Sequence, residues 1–210
     1  MSYPQTLSGD GGLELPEFDS PPSDPGALLV TWFSRAEQLG AREHLAVALA
    51  TADADGRPST RMVLLKRVDA AGVTFTTTAT SRKGRELAGQ PWGAMTAYWR
   101  ETIQQVRLAG PVRRLSEKES DALFAARPIP SQASAIASQQ GEPLDDPADL
   151  VARAAALASS PEALPRPEFW YGYRLEPEVI EFWHGTVHRL HRRLLYERDG
   201  GAWTHRRLQP

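Results

Sequence analysis

Apolar and polar positions alternate over short stretches of this chain, separated by Gly, Pro, Asp and Ser, which predicts many short strands and a few helices. Strands are predicted at residues 44–52, 59–68, 73–78, 92–99, 103–115, 170–175, 179–183, 188–196 and 202–208. Helices are predicted at residues 25–39, 81–88, 116–126, 131–139 and 147–158. Antiparallel strands with inserted helices indicate an α+β barrel in one domain, residues 23–210.

Capping residues mark where several of these helices begin. Asp24 and Pro25 suit the N-cap and the first helical position, and Gly40 suits the residue after the helix end. Ser116 and Glu119 have the spacing of a capping box. Residues 1–22 contain few aliphatic residues and much Gly, Pro and acid, so they are predicted to form a mobile arm.

Composition excludes several classes of function. The 24 basic and 26 acidic residues leave a net charge of −2, so neither nucleic acid nor an anionic membrane is expected as a partner. There is no cysteine, which removes disulfides and thiolate catalysis. No secretion signal or apolar run of about 18 residues is found, so a cytoplasmic location is expected. Rossmann, Walker and G-x-S-x-G motifs are absent.

The first candidate cluster is R-M-V-L-L-K, residues 61–66, in which two cations bracket an apolar strand. Strand alternation places Arg61 and Lys66 on opposite faces unless a bulge or a strand end redirects one of them. A core strand with one charge at each end is therefore an equally simple interpretation.

The second cluster is Ser81-Arg82-Lys83-Gly84 at a predicted helix start. Arg82 and Lys83 oppose the helix dipole there, at a cost of ~0.3–1 kcal/mol each. An anion would reverse the sign of this effect, since free N–H groups and both cations would face it, so a phosphate site is one interpretation. Two solvated surface charges are the other.

The third cluster is H-R-L-H-R-R, residues 188–193. If it forms a strand, Arg189, His191 and Arg193 lie on one face and favour an anion, although an exposed basic edge strand explains them equally well. A metal site is not predicted, because His188 and His191 would then face opposite sides and no carboxylate is suitably spaced. Gln105, Gln140 and Trp183 are further candidates, with surface or core roles as alternatives.

Taken in order, R-M-V-L-L-K, S-R-K-G, Q-Q-V-R, A-R-P-I-P-S-Q, E-F-W-H-G, R-L-H-R-R and the terminal R-R-L-Q-P resemble the pyridoxamine 5'-phosphate oxidase family. The match runs from about Pro25 to Pro210. The resemblance implies a split β-barrel with peripheral helices that forms a homodimer and binds two FMN molecules across the subunit interface. The cofactor-binding residues it implies are Arg61, Met62, Val63, Leu64, Leu65, Lys66, Thr76, Thr77, Ser81, Arg82, Lys83, Gln105, Gln140, Trp183 and Arg193.

The same resemblance implies a substrate site of Lys66, Arg127, Ser131, Arg189 and His191, with Arg189 and His191 over the reacting carbon. One position departs from the family pattern, because Leu123 stands where a Tyr normally helps to hold the phosphate of the vitamer. The lost hydrogen bond to a charged group is worth ~1.5–3 kcal/mol.

Further segments, among them P-P-S-D-P, G-A-R-E-H, A-Y-W-R-E-T-I-Q-Q and the terminal L-Q-P, resemble the phenazine-biosynthesis oxidases of this family. The expected activity is oxidation of a dihydro- or hexahydrophenazine carboxylate, with a hydride passing to FMN and then O2 being reduced to hydrogen peroxide. The alternatives are oxidation of pyridoxine or pyridoxamine 5'-phosphate, and a flavin- or haem-binding barrel that catalyses nothing or acts on an unrelated substrate.

Overall fold

The computed structural model describes residue 7 and residues 9–210, which form ten strands and five α-helices. The strands are β1 Ala46–Ala52, β2 Pro58–Leu64, β3 Arg67–Asp69, β4 Gly72–Thr78, β5 Trp92–Trp99, β6 Gln104–Arg114, β7 Trp170–Leu175, β8 Val179–His184, β9 Arg192–Asp199 and β10 Ala202–Arg207. The helices are α1 Gly26–Gln38, α2 Arg82–Gly89, α3 Glu117–Ala125, α4 Ile129–Ala137 and α5 Pro147–Ala158. None of them is long and apolar enough to cross a membrane.

All strand pairs are antiparallel, in the order β10-β9-β8-β6-β5-β1-β2. The long strand β6 also pairs with β7, which pairs with β4, and β4 pairs with β3. Since β3 follows β2 along the chain, these pairings curl the sheet into a barrel. The predicted α+β class with a split barrel and peripheral helices is confirmed.

The barrel closes where the chain passes from β2 to β3. The Leu65 N–H donates to the Leu45 carbonyl at 2.9 Å, and the Lys66 N–H donates to the Thr74 carbonyl at 2.7 Å. Leu65 is therefore hydrogen-bonded to the residue just before β1, whereas the next residue, Lys66, is hydrogen-bonded to β4. The prediction of one strand over residues 59–68 is wrong, because two different strands compete for the backbone on either side of this point.

Helix α1 covers one end of the barrel. Its start is close to the prediction, since the Asp24 carboxylate accepts from the Gly26 N–H at 2.7 Å, and Gly40 has a φ of +77° after its end. Trp32 and Phe33 are buried, and their rings contact Phe182 and Trp99 at centroid distances of 5.0 and 4.9 Å. The Ser116 capping box at the start of α3 is also present.

Part of the predicted mobile arm packs on the barrel. Residues 1–6 and 8 lie outside the described residues, but Leu15 and Phe18 are only 2% and 1% exposed. The Glu17 carboxylate accepts from Trp32 Nε1 at 2.5 Å, and Asp19 accepts from Arg192 at 2.9 Å. The prediction of a mobile arm is therefore wrong for residues 15–19, because two apolar side chains and two buried or paired carboxylates hold them in place.

We expect Phe18→Ala to lower the free energy of unfolding by about 3–5 kcal/mol, the usual cost of truncating a buried Phe. Urea unfolding measures it. The exposed neighbour Glu14→Ala is the control and should stay within about 0.5 kcal/mol of the original protein. Equal stability of the two variants would show that residues 15–19 do not contribute to the core.

Candidate active site

Most of the predicted site residues line two adjoining clefts beside β2, β4 and α4. The larger cleft, of about 350 Å³, has a size typical of small-molecule sites. Among the residues that line it are Met62, Val63, Leu64, Lys66, Thr76, Thr77, Lys83, Arg127 and Gln140. The second cleft, of about 300 Å³, shares Lys83 and Gln140 with the first and adds Arg61, Ser81 and Arg82.

The start of α2 brings its cations to these clefts. Ser81 is the N-cap as predicted: its hydroxyl accepts from the Gly84 N–H at 3.3 Å and donates to the Thr78 carbonyl at 2.8 Å. A Cβ at Gly84 would lie 2.4 Å from the Thr78 carbonyl oxygen. Only glycine therefore lets the first turn of α2 lie this close to the end of β4.

Lys83 is 8% exposed and points to neutral oxygens. Its ammonium donates to Thr77 Oγ1 at 2.9 Å and to Ser81 Oγ and Gln140 Oε1 at 3.3 Å each. Burial lowers the pKa of Lys83 to about 8, the positive charge of Arg61 acts in the same direction, and Glu86 opposes them. Lys83 is thus a cation that an incoming anion would stabilise.

Arg61 and Arg82 share one carboxylate that the sequence analysis did not identify. Glu86 Oε1 accepts from Arg82 Nε at 2.8 Å, and Oε2 accepts from an Arg61 amino group at 3.3 Å. Thr51 and Ser59 also donate to Glu86. The four-residue spacing of Arg82 and Glu86 could have suggested their pairing on a helix, whereas the strand residues are too distant in sequence.

Lys66 and Arg127 line the larger cleft, and no carboxylate among the described residues forms an ion pair with either of them. Burial lowers the pKa of Lys66, and the charge of Arg127 lowers it further. The pKa of Arg127 is also lowered by burial, and its guanidinium lies 5.2 Å from the Trp170 ring centroid. An anionic group between these two cations would relieve their repulsion.

Leu65 and Ser131 lie in elements beside these clefts but do not line them. The Leu65 side chain is buried in the core, 1% exposed, because the chain turns there from one sheet edge to the other. Its side chain therefore does not face the clefts, and its predicted role in binding the cofactor stays a prediction. Ser131 lies in α4 one turn before Ser134, and Ser134 and Ser138 line the cleft instead. Leu123 is not a lining residue and packs near Gly172.

Gln105, Trp183 and Arg193 form a separate group across neighbouring strands. Trp183 is directly paired with Gln105 on β6 and with Arg193 on β9. Arg193 Nε donates to the buried Glu181 at 2.7 Å. Strands β5 and β1 lie between β6 and β2 in the sheet, and none of the three residues lines either cleft. The predicted residues of a single chain thus form two separate groups.

Arg189 and His191 lie in a loop, residues 185–191, and not in a strand. Strand β9 begins only at Arg192, and Arg189 has a φ of +66°, so the predicted strand at 188–196 and the shared face of Arg189, His191 and Arg193 are wrong. The Thr186 N–H donates to His191 Nδ1 at 3.2 Å, and the His191 ring lies 4.9 Å from that of Trp183. The loop thereby places His191 beside Trp183, in the separate group that also contains Gln105 and Arg193.

Comparison with known proteins identifies relatives along nearly the whole chain. A family model described as pyridoxamine 5'-phosphate oxidase matches residues 35–159, and one described as the pyridoxine 5'-phosphate oxidase C-terminal dimerisation region matches residues 170–210. The dihydrophenazinedicarboxylate synthase of Burkholderia lata is 46% identical over 98% of this chain and 97% of its own length. The pyridoxine/pyridoxamine 5'-phosphate oxidase of Rubrobacter xylanophilus is 48% identical over 91% of this chain and 89% of its own length.

A solved structure is similarly close. The crystal structure of PhzG from Burkholderia lata in complex with tetrahydrophenazine-1-carboxylic acid superposes with a TM-score of 0.93 at 46% identity. It covers 96% of this chain and 100% of that chain. Relatives with two different names therefore match this chain at nearly the same identity, and identity alone does not separate their substrates.

We expect the Lys83 ammonium to lose its proton with a midpoint near pH 8 in the ligand-free protein. Side-chain NMR of labelled lysine measures this, with Lys83→Met to assign the signal. Because the folded-state pKa lies below the ordinary 10.5, the unfolding free energy relative to Lys83→Met should rise between about pH 8 and 10.5. A midpoint near 10.5 would contradict the burial of this charge.

Proposed function

Because the chain belongs to the pyridoxamine 5'-phosphate oxidase family, we propose that it is an FMN-dependent oxidase of a dihydro- or hexahydrophenazine carboxylate. The observations that carry the choice of substrate are the cations Lys66 and Arg127 in the larger cleft and, outside its lining, Leu123, which has no hydroxyl where the family resemblance expects the Tyr of a vitamer-phosphate site. Two cations can pair with the two oxygens of a carboxylate, whereas a phosphate has more oxygens to satisfy. The names of the relatives from Burkholderia lata support the same choice.

The charge of the second cleft suits the phosphate of FMN. Arg82 and Lys83 lie at the start of α2, where free backbone N–H groups also favour an anion. Met62, Val63 and Leu64 offer the larger cleft an apolar wall for a planar ring, with Thr76 and Thr77 nearby. Bound FMN would accept a hydride equivalent from the substrate and pass two electrons to O2, giving hydrogen peroxide.

A homodimer would complete the site. Gln105, Trp183 and Arg193 lie apart from the clefts of their own chain, so a second copy has to bring them to the cofactor. The match of residues 170–210 to a dimerisation region supports this assembly. The sheet face that carries Gln105 also carries the small side chain of Ala46 and the half-exposed Tyr98, which leaves room for another sheet to pack there.

His191 would orient the substrate by donating a hydrogen bond. Since Nδ1 accepts from the Thr186 N–H, a neutral ring carries its proton on Nε2, the atom free to contact a substrate. Arg189 in the same loop would attract the carboxylate of the substrate. A reduced tricyclic precursor is already electron-rich, so its oxidation needs orientation more than a strong base.

The second candidate is a pyridoxine/pyridoxamine 5'-phosphate oxidase. Lys66 and Arg127, which the family resemblance assigns to the phosphate of the vitamer, are both present and face the cleft. The relative from Rubrobacter xylanophilus bears this name and is 48% identical. Leu123 distinguishes the two candidates, because it removes one donor to a phosphate.

We expect the purified protein to take up FMN and to consume O2 with a dihydrophenazine carboxylate much faster than with pyridoxine 5'-phosphate. Oxygen uptake and peroxide release, in equal amounts, measure the reaction. Leu123→Tyr should raise kcat/KM for pyridoxine 5'-phosphate by about tenfold, the worth of one hydrogen bond to a charged group. A colourless protein without FMN would refute both candidates, and rapid formation of pyridoxal 5'-phosphate by the original chain would refute the first.

His191→Ala should lower kcat/KM about tenfold through the loss of one hydrogen bond and of the ring that packs on Trp183. His191→Gln can place an amide donor near the position of Nε2 and should retain more activity than the Ala variant. Steady-state kinetics with FMN-saturated protein measures both. His188→Ala, an exposed neighbour in the same loop, is the control. Equal kcat/KM in the His191 and His188 variants would exclude His191 from the site.

A further inference from the structure

A buried carboxylate lies among the cations of the second cleft. Glu86 is 6% exposed and carries negative charge beside a place where an anion is proposed to bind. Its own repulsion of that anion would weaken binding, so the charge needs another explanation. The clue is its set of partners: two arginines and two hydroxyls from three different elements, α2, β1 and β2.

Arg61 and Arg82 are hydrogen-bonded to Glu86 in different ways. Both amino groups of Arg61 are bonded within the protein: one donates to the Leu49 carbonyl at 3.3 Å and to Thr51 at 2.5 Å, and the other to Ser59 and Glu86. Arg61 is therefore a fixed positive charge. Arg82 uses only Nε, at 2.8 Å from Glu86 Oε1, and its side chain is 64% exposed. Within the described residues, its two amino groups remain available for a two-point contact with a phosphate.

Holding Arg82 by Nε also restricts a long side chain that would otherwise sample many rotamers. Fixing such a chain in advance reduces the entropy lost when a ligand binds. The same carboxylate reduces the repulsion between Arg61 and Lys83, since Glu86 favours the charged form of Lys83 and Arg61 disfavours it. One negative charge thus keeps three cations together at one end of the cleft.

We propose that Glu86 is a positioning residue for the phosphate of the cofactor: it holds Arg82 by Nε, which leaves both amino groups for the phosphate, and it helps to fix Arg61 beside the same cleft. This inference rests on the proposed function. It concerns the phosphate alone and requires nothing of the flavin ring, so FMN and riboflavin, which differ by that phosphate, are the probes that isolate it.

The test compares the dissociation constants of FMN and riboflavin for the flavin-free dimer, measured by quenching of flavin fluorescence. We expect Glu86→Gln to weaken FMN binding about tenfold, the worth of a charge-assisted contact, and to change riboflavin binding less than twofold. Glu17→Gln is the matched control, because Glu17 is also 6% exposed and pairs with an arginine, Arg35, away from the clefts. Glu17→Gln should change the stability of the protein but not the ratio of its dissociation constants for FMN and riboflavin.

Other outcomes would overturn the proposal. Tighter FMN binding by Glu86→Gln would mean that the carboxylate only repels the phosphate. An equal loss of affinity for both flavins, as for a merely structural residue, would also refute it.

In the Arg82→Met background, the Glu86→Gln change should cause little further loss of FMN affinity, because the effect of Glu86 passes through Arg82. If Glu86→Gln does not fold, Glu86→Asp, which keeps the charge but withdraws it from Arg82, should likewise weaken the binding of FMN relative to that of riboflavin.

The FMN and riboflavin measurements distinguish a failure of the proposed function from a failure of the proposed role of Glu86. If the original protein binds neither flavin, the proposed function fails, and this inference fails with it. If it binds FMN more tightly than riboflavin and the Glu86 variants leave that preference unchanged, only the role of Glu86 fails.

Discussion

Repulsion between like charges is the interaction that the rest of this site depends on. Arg61, Lys66, Arg82, Lys83 and Arg127 surround two adjoining clefts, and the described part of the chain places one buried carboxylate, Glu86, among them. Burial lowers the pKa values of Lys66 and Lys83, and the neighbouring charges of Arg127 and Arg61 lower them further. An anion bound to this cluster would stabilise the folded protein, because a ligand that binds only the folded form shifts the folding equilibrium toward that form.

The barrel supplies the rigidity that this cluster requires. The chain passes from one sheet edge to the other at Leu65 and Lys66, which buries the first side chain and directs the second into the cleft. Gly84 then allows α2 to start against the end of β4, which brings Lys83 to within hydrogen-bond distance of Thr77. The cations are therefore held by backbone geometry and not by flexible side-chain contacts alone.

The proposed cofactor half and the proposed substrate half of the site differ in how completely they are formed. The phosphate end has four bonded partners around Glu86 and a capped helix start, whereas Lys66 and Arg127 face the larger cleft without a hydroxyl from position 123. Relatives named for two different substrates match the chain at 46% and 48% identity, so these identities do not decide which substrate the larger cleft binds.

Local interactions were readable from the sequence. The N-cap at Ser81, the capping box at Ser116 and the turn at Gly40 involve residues within four positions of one another, so the sequence by itself determined them. The ordered motifs determined the family, because several short patterns over most of the chain agree with one fold. Most residues that line the larger cleft, including Lys83 and Gln140, are among those that the family resemblance implies.

Tertiary structure alone decided the contacts between distant segments. Glu86 meets Thr51, Ser59 and Arg61 only because strand register brings β1 and β2 to α2, and no local pattern encodes that register. The break at Leu65, the loop that carries Arg189 and His191, and the burial of Phe18 likewise depend on which strand or helix finally packs on each segment. Sequence patterns reflect interactions between residues that are close together in the chain. These features are instead stabilised by contacts between segments that are far apart in the chain and meet only in the folded barrel.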